Sequence, residues 1–143
     1  VAIFFERHYF YVAMLSAEYD GYWLYRLDRI IKLIKHSPGK RLDAAHRFSL
    51  QDHRQHTYLL DSGSLVPMQF IYRNALQPVL DQFPTARVLA TLPDGSYKIE
   101  AYVKADGAIL WLMGQGARVE VLSPLSLKKR LATELRTALQ QYQ

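Results

Sequence analysis

Between Leu65 and Leu122 short apolar runs and helix signals alternate in one order, and that order restricts the fold more than any other feature of the chain. Leu65 to Tyr72 reads as a strand. Asn74 is a plausible N-cap for a helix running to Phe83, with Pro78 an awkward resident of its first turns. Thr85 to Leu92 and Ser96 to Lys104 read as two further strands. They are joined by Pro93-Asp94-Gly95, a turn whose residues each have a steric reason to be there. Asp106 can cap a short apolar helix from Ala108 to Met113, which Gly114 can end in the left-handed conformation. Ala117 to Leu122 is then a fourth strand, and the sum is β-α-β-β-α-β, a ferredoxin-like split unit. Ser123-Pro124 opens a last helix as cap and first helical proline. Its stripe of Leu127, Leu131, Leu135, Ala138, Leu139 and Tyr142 must pack on something. The spacing leaves open whether that is its own domain, the first half of the chain or a second subunit.

The first half is less regular. Val1 to Phe5 reads as a strand, Glu6-Arg7-His8 as a tight charged turn and Tyr9 to Met14 as the partner strand of a hairpin. A turn region, Ser16 to Gly21, leads into Tyr22 to Leu33, which supports two readings. As a strand, Trp23, Tyr25 and Leu27 share one side while Arg26 and Asp28 project from the other. As a helix, Leu27, Ile30, Ile31 and Ile34 share a face, with Arg29, Lys32 and Lys35 turned away. Periodicity slightly favours the helix. Ser37-Pro38-Gly39-Lys40 is a turn signal. Arg41 to Ser64 reads as a linker, with a possible short helix around Ser49 to His56 and a turn at Asp61-Ser62-Gly63-Ser64.

A resemblance settles the ambiguous stretch. Tyr25-Arg26-Leu27-Asp28-Arg29-Ile30, preceded by His8-Tyr9-Phe10-Tyr11-Val12-Ala13, resembles the signature of WYL domains, which occur in bacterial transcriptional regulators. The resemblance implies a small SH3/Sm-like β-barrel and makes Tyr22 to Leu33 a strand. Three strands cannot close a barrel, and the family carries further strands upstream. The barrel is therefore expected to be incomplete here, or completed by another segment or a partner chain. The second half resembles the C-terminal extension that accompanies WYL domains. The resemblance rests on the Pro93-Asp94-Gly95 hairpin, the helix end Trp111-Leu112-Met113-Gly114, the strand Val119 to Pro124 and a Leu-rich final helix ending in Tyr142. The expected architecture is α+β: a partial SH3/Sm-like barrel over 1–40, a basic linker over 41–64, and a ferredoxin-like domain with a C-terminal helix over 65–143.

Charge and composition narrow the function. The formal charge of +5 permits an acidic or nucleic-acid partner without demanding one. It is concentrated between Arg29 and Arg54, where seven Lys/Arg face Asp43 and Asp52 alone. His36, His46, His53 and His56 lie in or just beyond that segment, so its charge grows below neutral pH. The absence of cysteine excludes disulfides, thiolate catalysis and Cys-type zinc sites, and it suits a cytoplasmic protein. No apolar run approaches the roughly eighteen residues of a membrane span. No Gly-x-Ser-x-Gly, phosphate-loop or dinucleotide fingerprint appears, so catalysis is unsupported and no cofactor is expected. Asp52, His53 and His56 lack a further ligand and read as a solvated loop, so no metal is assigned. Lys128-Lys129-Arg130, early in the last helix, oppose the helix dipole and are read as incidental.

The candidate ligand residues are Tyr9, Tyr11, Trp23, Arg26, Asp28 and Arg29. The resemblance implies that WYL domains sense nucleic acids or nucleotide-like ligands, and arginine suits phosphate through its bidentate fork. Tyr9, Tyr11, Tyr22, Trp23 and Tyr25, interleaved with cations, can stack single-stranded bases; they can equally be core residues of alternating strands. In the same way, Arg26 can simply pair with Asp28 while Arg29 lies solvated. The family often carries another arginine where this chain has Trp23, so a stacking surface replaces a phosphate-grasping side chain. The chain is thus expected to be the effector-sensing, homodimeric C-terminal part of a regulator. Operator DNA would be read by a helix-turn-helix upstream of this sequence. The alternatives are a ligand-free dimerisation module and a stand-alone single-stranded RNA-binding domain.

Overall fold

The computed structural model describes residues 2–15, 22–39, 41–58 and 63–143. The expected turn at Ser16 to Gly21 lies outside them, as do Lys40, Asp61 and Ser62 of the two other expected turns. The chain is mixed α+β, with two antiparallel sheets and four helices among the described residues.

The first sheet is a meander of β1 (Ala2–Glu6), β2 (Tyr9–Leu15) and β3 (Tyr22–Arg26). Glu6 faces Tyr9, which leaves Arg7 and His8 as a two-residue loop, both with positive φ (47° and 78°). That conformation matches the twist of a hairpin but is uncomfortable for side chains larger than glycine or asparagine. Arg7 is held in place over the ring of Tyr58, 5.0 Å from its centre.

Register sorts the side chains into two faces. Phe4, Glu6, Tyr9, Tyr11, Ala13, Tyr22, Leu24 and Arg26 share one; Ile3, Phe5, Phe10, Val12, Met14, Trp23 and Tyr25 share the other. β3 ends at Arg26, and Leu27–Arg29 form a single 3-10 turn, so the strand expected to reach Leu33 is cut short. Ile30 to Gly39 has no regular structure. No closed barrel forms among the described residues.

Helix α1 (Leu50–His56), capped by Ser49 whose Oγ accepts from the Asp52 N–H, covers the Phe4 face. Phe48 stacks on Phe4 with ring centres 5.1 Å apart, and the His53 ring packs against both, 5.1 Å from Phe4 and 5.5 Å from Phe48. Hence Phe4 and His53 are buried although the sheet has only three strands.

The second sheet runs in the order β5-β6-β4-β7, with β4 at Leu65–Tyr72, β5 at Arg87–Thr91, β6 at Tyr97–Lys104 and β7 at Val119–Ser123; every neighbour is antiparallel. Alternation places Met68, Phe70 and Tyr72 of β4 and Ile99, Ala101 and Val103 of β6 on one buried face. Helices α2 (Gln77–Gln82), α3 (Ala105–Gln115) and α4 (Leu125–Gln140) contribute Val79, Trp111, Leu112, Leu127 and Leu131 to the same core. Trp111 is its centre, in contact with Phe70, Tyr72 and Phe83, the last at 4.7 Å.

The expected order of elements over 65–122 is present, with shifted ends. Leu76, not Asn74, occupies the N-cap position of α2, and Pro78 takes the second helical position, where its missing N–H costs nothing. α3 starts at Ala105, so Asp106 lies in its first turn and does not cap it. There it accepts a hydrogen bond from Arg130 Nη1 at 2.6 Å, which ties α3 to α4 and gives Arg130 a structural partner. Gly116, not Gly114, ends α3 with a positive φ of 57°. Pro124 is the N-cap of α4, not its first helical residue. The stripe of α4 divides: Leu127 and Leu131 pack on α3 and β7, whereas Leu135, Leu139 and Tyr142 are exposed.

Gly107 of α3 lies against the backbone of Tyr58, and a Cβ there would overlap the Tyr58 carbonyl. Gly107→Ala is expected to lower stability by about 1–3 kcal/mol through overpacking. Gly114→Ala, whose Cβ would meet nothing, is expected to raise it by roughly 0.5–1 kcal/mol. Urea unfolding followed by circular dichroism checks both, and equal effects would contradict the close approach of Tyr58 to α3.

Candidate nucleic-acid interface

Arg26 is the last residue of β3 and the best-engaged of the candidates. Its Nε donates to Asp28 Oδ1 at 3.1 Å and its Nη2 to Oδ2 at 2.6 Å, a bidentate pair. Its guanidinium also lies 3.4 Å from the centre of the Tyr9 ring, a cation–π contact across the strands. The hydrogen bonds between them raise the pKa of Arg26 and lower that of Asp28. Arg26 is therefore fixed in place, with most of its fork directed at Asp28. Tyr11, opposite Arg26 in register, stacks on Phe4 with centres 5.8 Å apart.

Trp23 is on the other face. Its ring stacks on Tyr25 at 6.3 Å, so it does not share a surface with Tyr9, Tyr11 and Arg26. The strand reading of Trp23 and Tyr25 thus holds, and the 3-10 turn carries Asp28 back to Arg26. The two faces meet at the outer edge of β3, which pairs with no further strand among the described residues. A groove of about 310 Å³ lies there, lined by Tyr11, Leu24, Tyr25, Arg26, Arg29 and Ile30. Arg29 is exposed and makes no ion pair among the described residues, so its whole fork faces solvent. Around Trp23 and Tyr25 the second face continues as an apolar surface: Ile3, Phe5, Phe10 and Met14 are each 44–62 % exposed.

A polar contact that sequence reading missed lies on the covered face. His53 Nε2 is 3.0 Å from Glu6 Oε2, and the histidine is 3 % exposed, far from the solvated loop its neighbours suggest. The two residues are 47 positions apart, so no local signal could pair them. His56 turns its Nδ1 to the Asp52 carbonyl instead, so the two histidines serve different partners.

The His53 hydrogen bond, aided by the charges of Arg7 and Arg54, holds the Glu6 carboxyl below its usual range against the opposing effect of burial. A lowered carboxyl stabilises the fold above its unfolded pKa and loses that contribution as the pH falls through the folded value. Glu6→Gln is therefore expected to cost about 1–2 kcal/mol near pH 7, with the difference from the parent shrinking as the pH falls through the folded carboxyl's lowered value. Urea unfolding at neutral pH and in acid checks this, and a constant difference would contradict an ionised Glu6.

The arrangement of covered sheet, basic strand edge and following α+β unit can be compared with known families. No curated protein matches the chain at the significance required of a relative. Residues 68–139, half of the chain, match the family model of the WCX domain. The chain therefore belongs to the WCX-domain family, the C-terminal extension of WYL-type transcriptional regulators.

Proposed function

We propose that the chain is the effector-sensing and dimerisation region of a bacterial transcriptional regulator, with a nucleic-acid or nucleotide-like ligand at the outer edge of β3. The observation that carries this reading is Arg29, an exposed arginine with no ion pair among the described residues, beside the ring of Tyr25 on one groove. A cation that tracks the backbone next to a ring that stacks a base is the arrangement single strands require. Arg26 has a positioning role: its pair with Asp28 holds the turn that presents Arg29. The signal would pass through subunit packing to a helix-turn-helix on a separate segment, and the site of action would be cytoplasmic. Among the described residues no helix is long and apolar enough to cross a membrane.

The finer architecture follows the same proposal. The antiparallel order β5-β6-β4-β7 supports a ferredoxin-like reading of residues 65–143. The three-stranded meander supports a partial SH3/Sm-like barrel over 1–40, joined by the basic segment 41–64. The ligand-free dimerisation module remains as a second reading because Arg26 is already paired and because Leu135, Leu139 and Tyr142 offer α4 to a second copy.

Fluorescence anisotropy of short labelled single strands against salt tests the ligand. Binding should weaken steeply with salt, and Arg29→Ala should lower affinity about fivefold and reduce the salt slope by roughly one unit. Trp23→Ala, which removes the stacking neighbour of Tyr25, should cost about 1–2 kcal/mol of binding. No binding at low salt, together with a stable dimer by light scattering, would favour the packing module.

A further inference from the structure

A second cavity lies at the Tyr22 end of β3, where helix α1 and the residues before it approach the end of β6, and shares no lining residue with the groove at Arg29. Its volume is about 410 Å³, within the roughly 300–1,000 Å³ of small-molecule sites. One wall is an apolar corner: the rings of Tyr22 and Phe48 meet edge to face, 5.2 Å apart at 75°. The Tyr22 hydroxyl donates to the His46 carbonyl at 2.6 Å, which fixes its ring.

The opposite side is cationic. Lys104, the last residue of β6, is half-buried and has no carboxylate partner among the described residues. It is therefore available to a bound anion. Arg47 donates its Nε to the Leu42 carbonyl at 2.8 Å, which orients the guanidinium and leaves its terminal nitrogens without an acceptor among the described residues. His56 adds a ring nitrogen not used by its bond to Asp52. Asp52 is the one carboxylate of the lining among the described residues, where two permanent cations outnumber it.

We propose that this cavity binds a phosphomonoester carried on a flat ring, with Lys104 and Arg47 on the phosphate and the Tyr22–Phe48 corner under the ring. A phosphate offers three oxygens to donors that approach from two sides, which a single carboxylate does not. The cavity and its charge stand by themselves; the choice of a nucleotide as the ring-bearing ligand rests on the proposed function. A free nucleoside monophosphate and the 5′-phosphorylated end of a single strand present the same chemistry. Occupancy would join α1, which covers the first sheet, to the end of β6 in the second, and so couple the two halves of the chain.

Isothermal titration of the full chain with adenosine monophosphate, adenosine and inorganic phosphate tests the site. Adenosine monophosphate should bind at least about tenfold more tightly than either of its parts, since both walls contribute. Lys104→Ala and Arg47→Ala should each weaken it about fivefold with unchanged thermal unfolding, and Asp52→Asn should tighten it about two- to threefold. Arg29→Ala should leave it unchanged. A tetranucleotide with and without a 5′-phosphate separates the sources: Lys104-dependent preference for the phosphorylated strand assigns the strand end, and its absence assigns the free mononucleotide. The proposal is overturned if adenosine monophosphate does not bind, if Lys104→Ala and Arg47→Ala bind it as the parent does, or if Asp52→Asn weakens it. Loss of adenosine monophosphate binding in Arg29→Ala would instead place the ligand at the β3 edge.

Discussion

A three-stranded sheet has two faces, and side chains from its own strands cannot cover either. Here one face is covered by a segment far away in sequence: Phe48 stacks on Phe4, and His53 packs against both rings and reaches Glu6. Everything in the first half depends on that contact. Phe4 becomes a core residue, Tyr11 packs against it, and Arg26, on the same face beyond the reach of α1, is left to Asp28 and Tyr9. The basic segment that follows the sheet therefore has a packing role, because its buried His53 joins a carboxylate of β1.

The second half was far more legible in the sequence than the first, for a physical reason. β4 and β6 alternate buried and more exposed residues with period two, and Pro93-Asp94-Gly95 marks the turn from β5 into β6, so local pattern and tertiary burial agree. Errors there are confined to ends, where apolar composition continues across a boundary. α3 extends one turn further back because Ala105 is as good a helix residue as Ala108. In the first half Ile30, Ile31, Leu33 and Ile34 prolong the apolar pattern past Arg26 without burial, so neither period could locate the end of β3. The Glu6–His53 pair and the Lys104 cavity left no trace, since each joins residues with no common local pattern.

The candidate residues divide the same way. Register placed Tyr9, Tyr11 and Arg26 together and Trp23 opposite them, a consequence of strand geometry that follows once β3 is a strand. What register could not say is that Arg26 is paired with Asp28 while Arg29, one turn further on, is exposed and makes no ion pair among the described residues. The arginine of the motif with the stronger contacts is thus the weaker candidate for ligand, and the better candidate, Arg29, lies at the edge of the sheet and not on its face.

The central claim is that a nucleic-acid ligand engages this edge. Mapping amide chemical-shift changes in a ¹⁵N-labelled sample as a short single-stranded oligonucleotide is added tests it directly. The account predicts shifts concentrated in Trp23 to Ile31 and in Tyr11, with β5 of the second sheet unaffected. Shifts spread evenly over the molecule, or confined to α4, would contradict it.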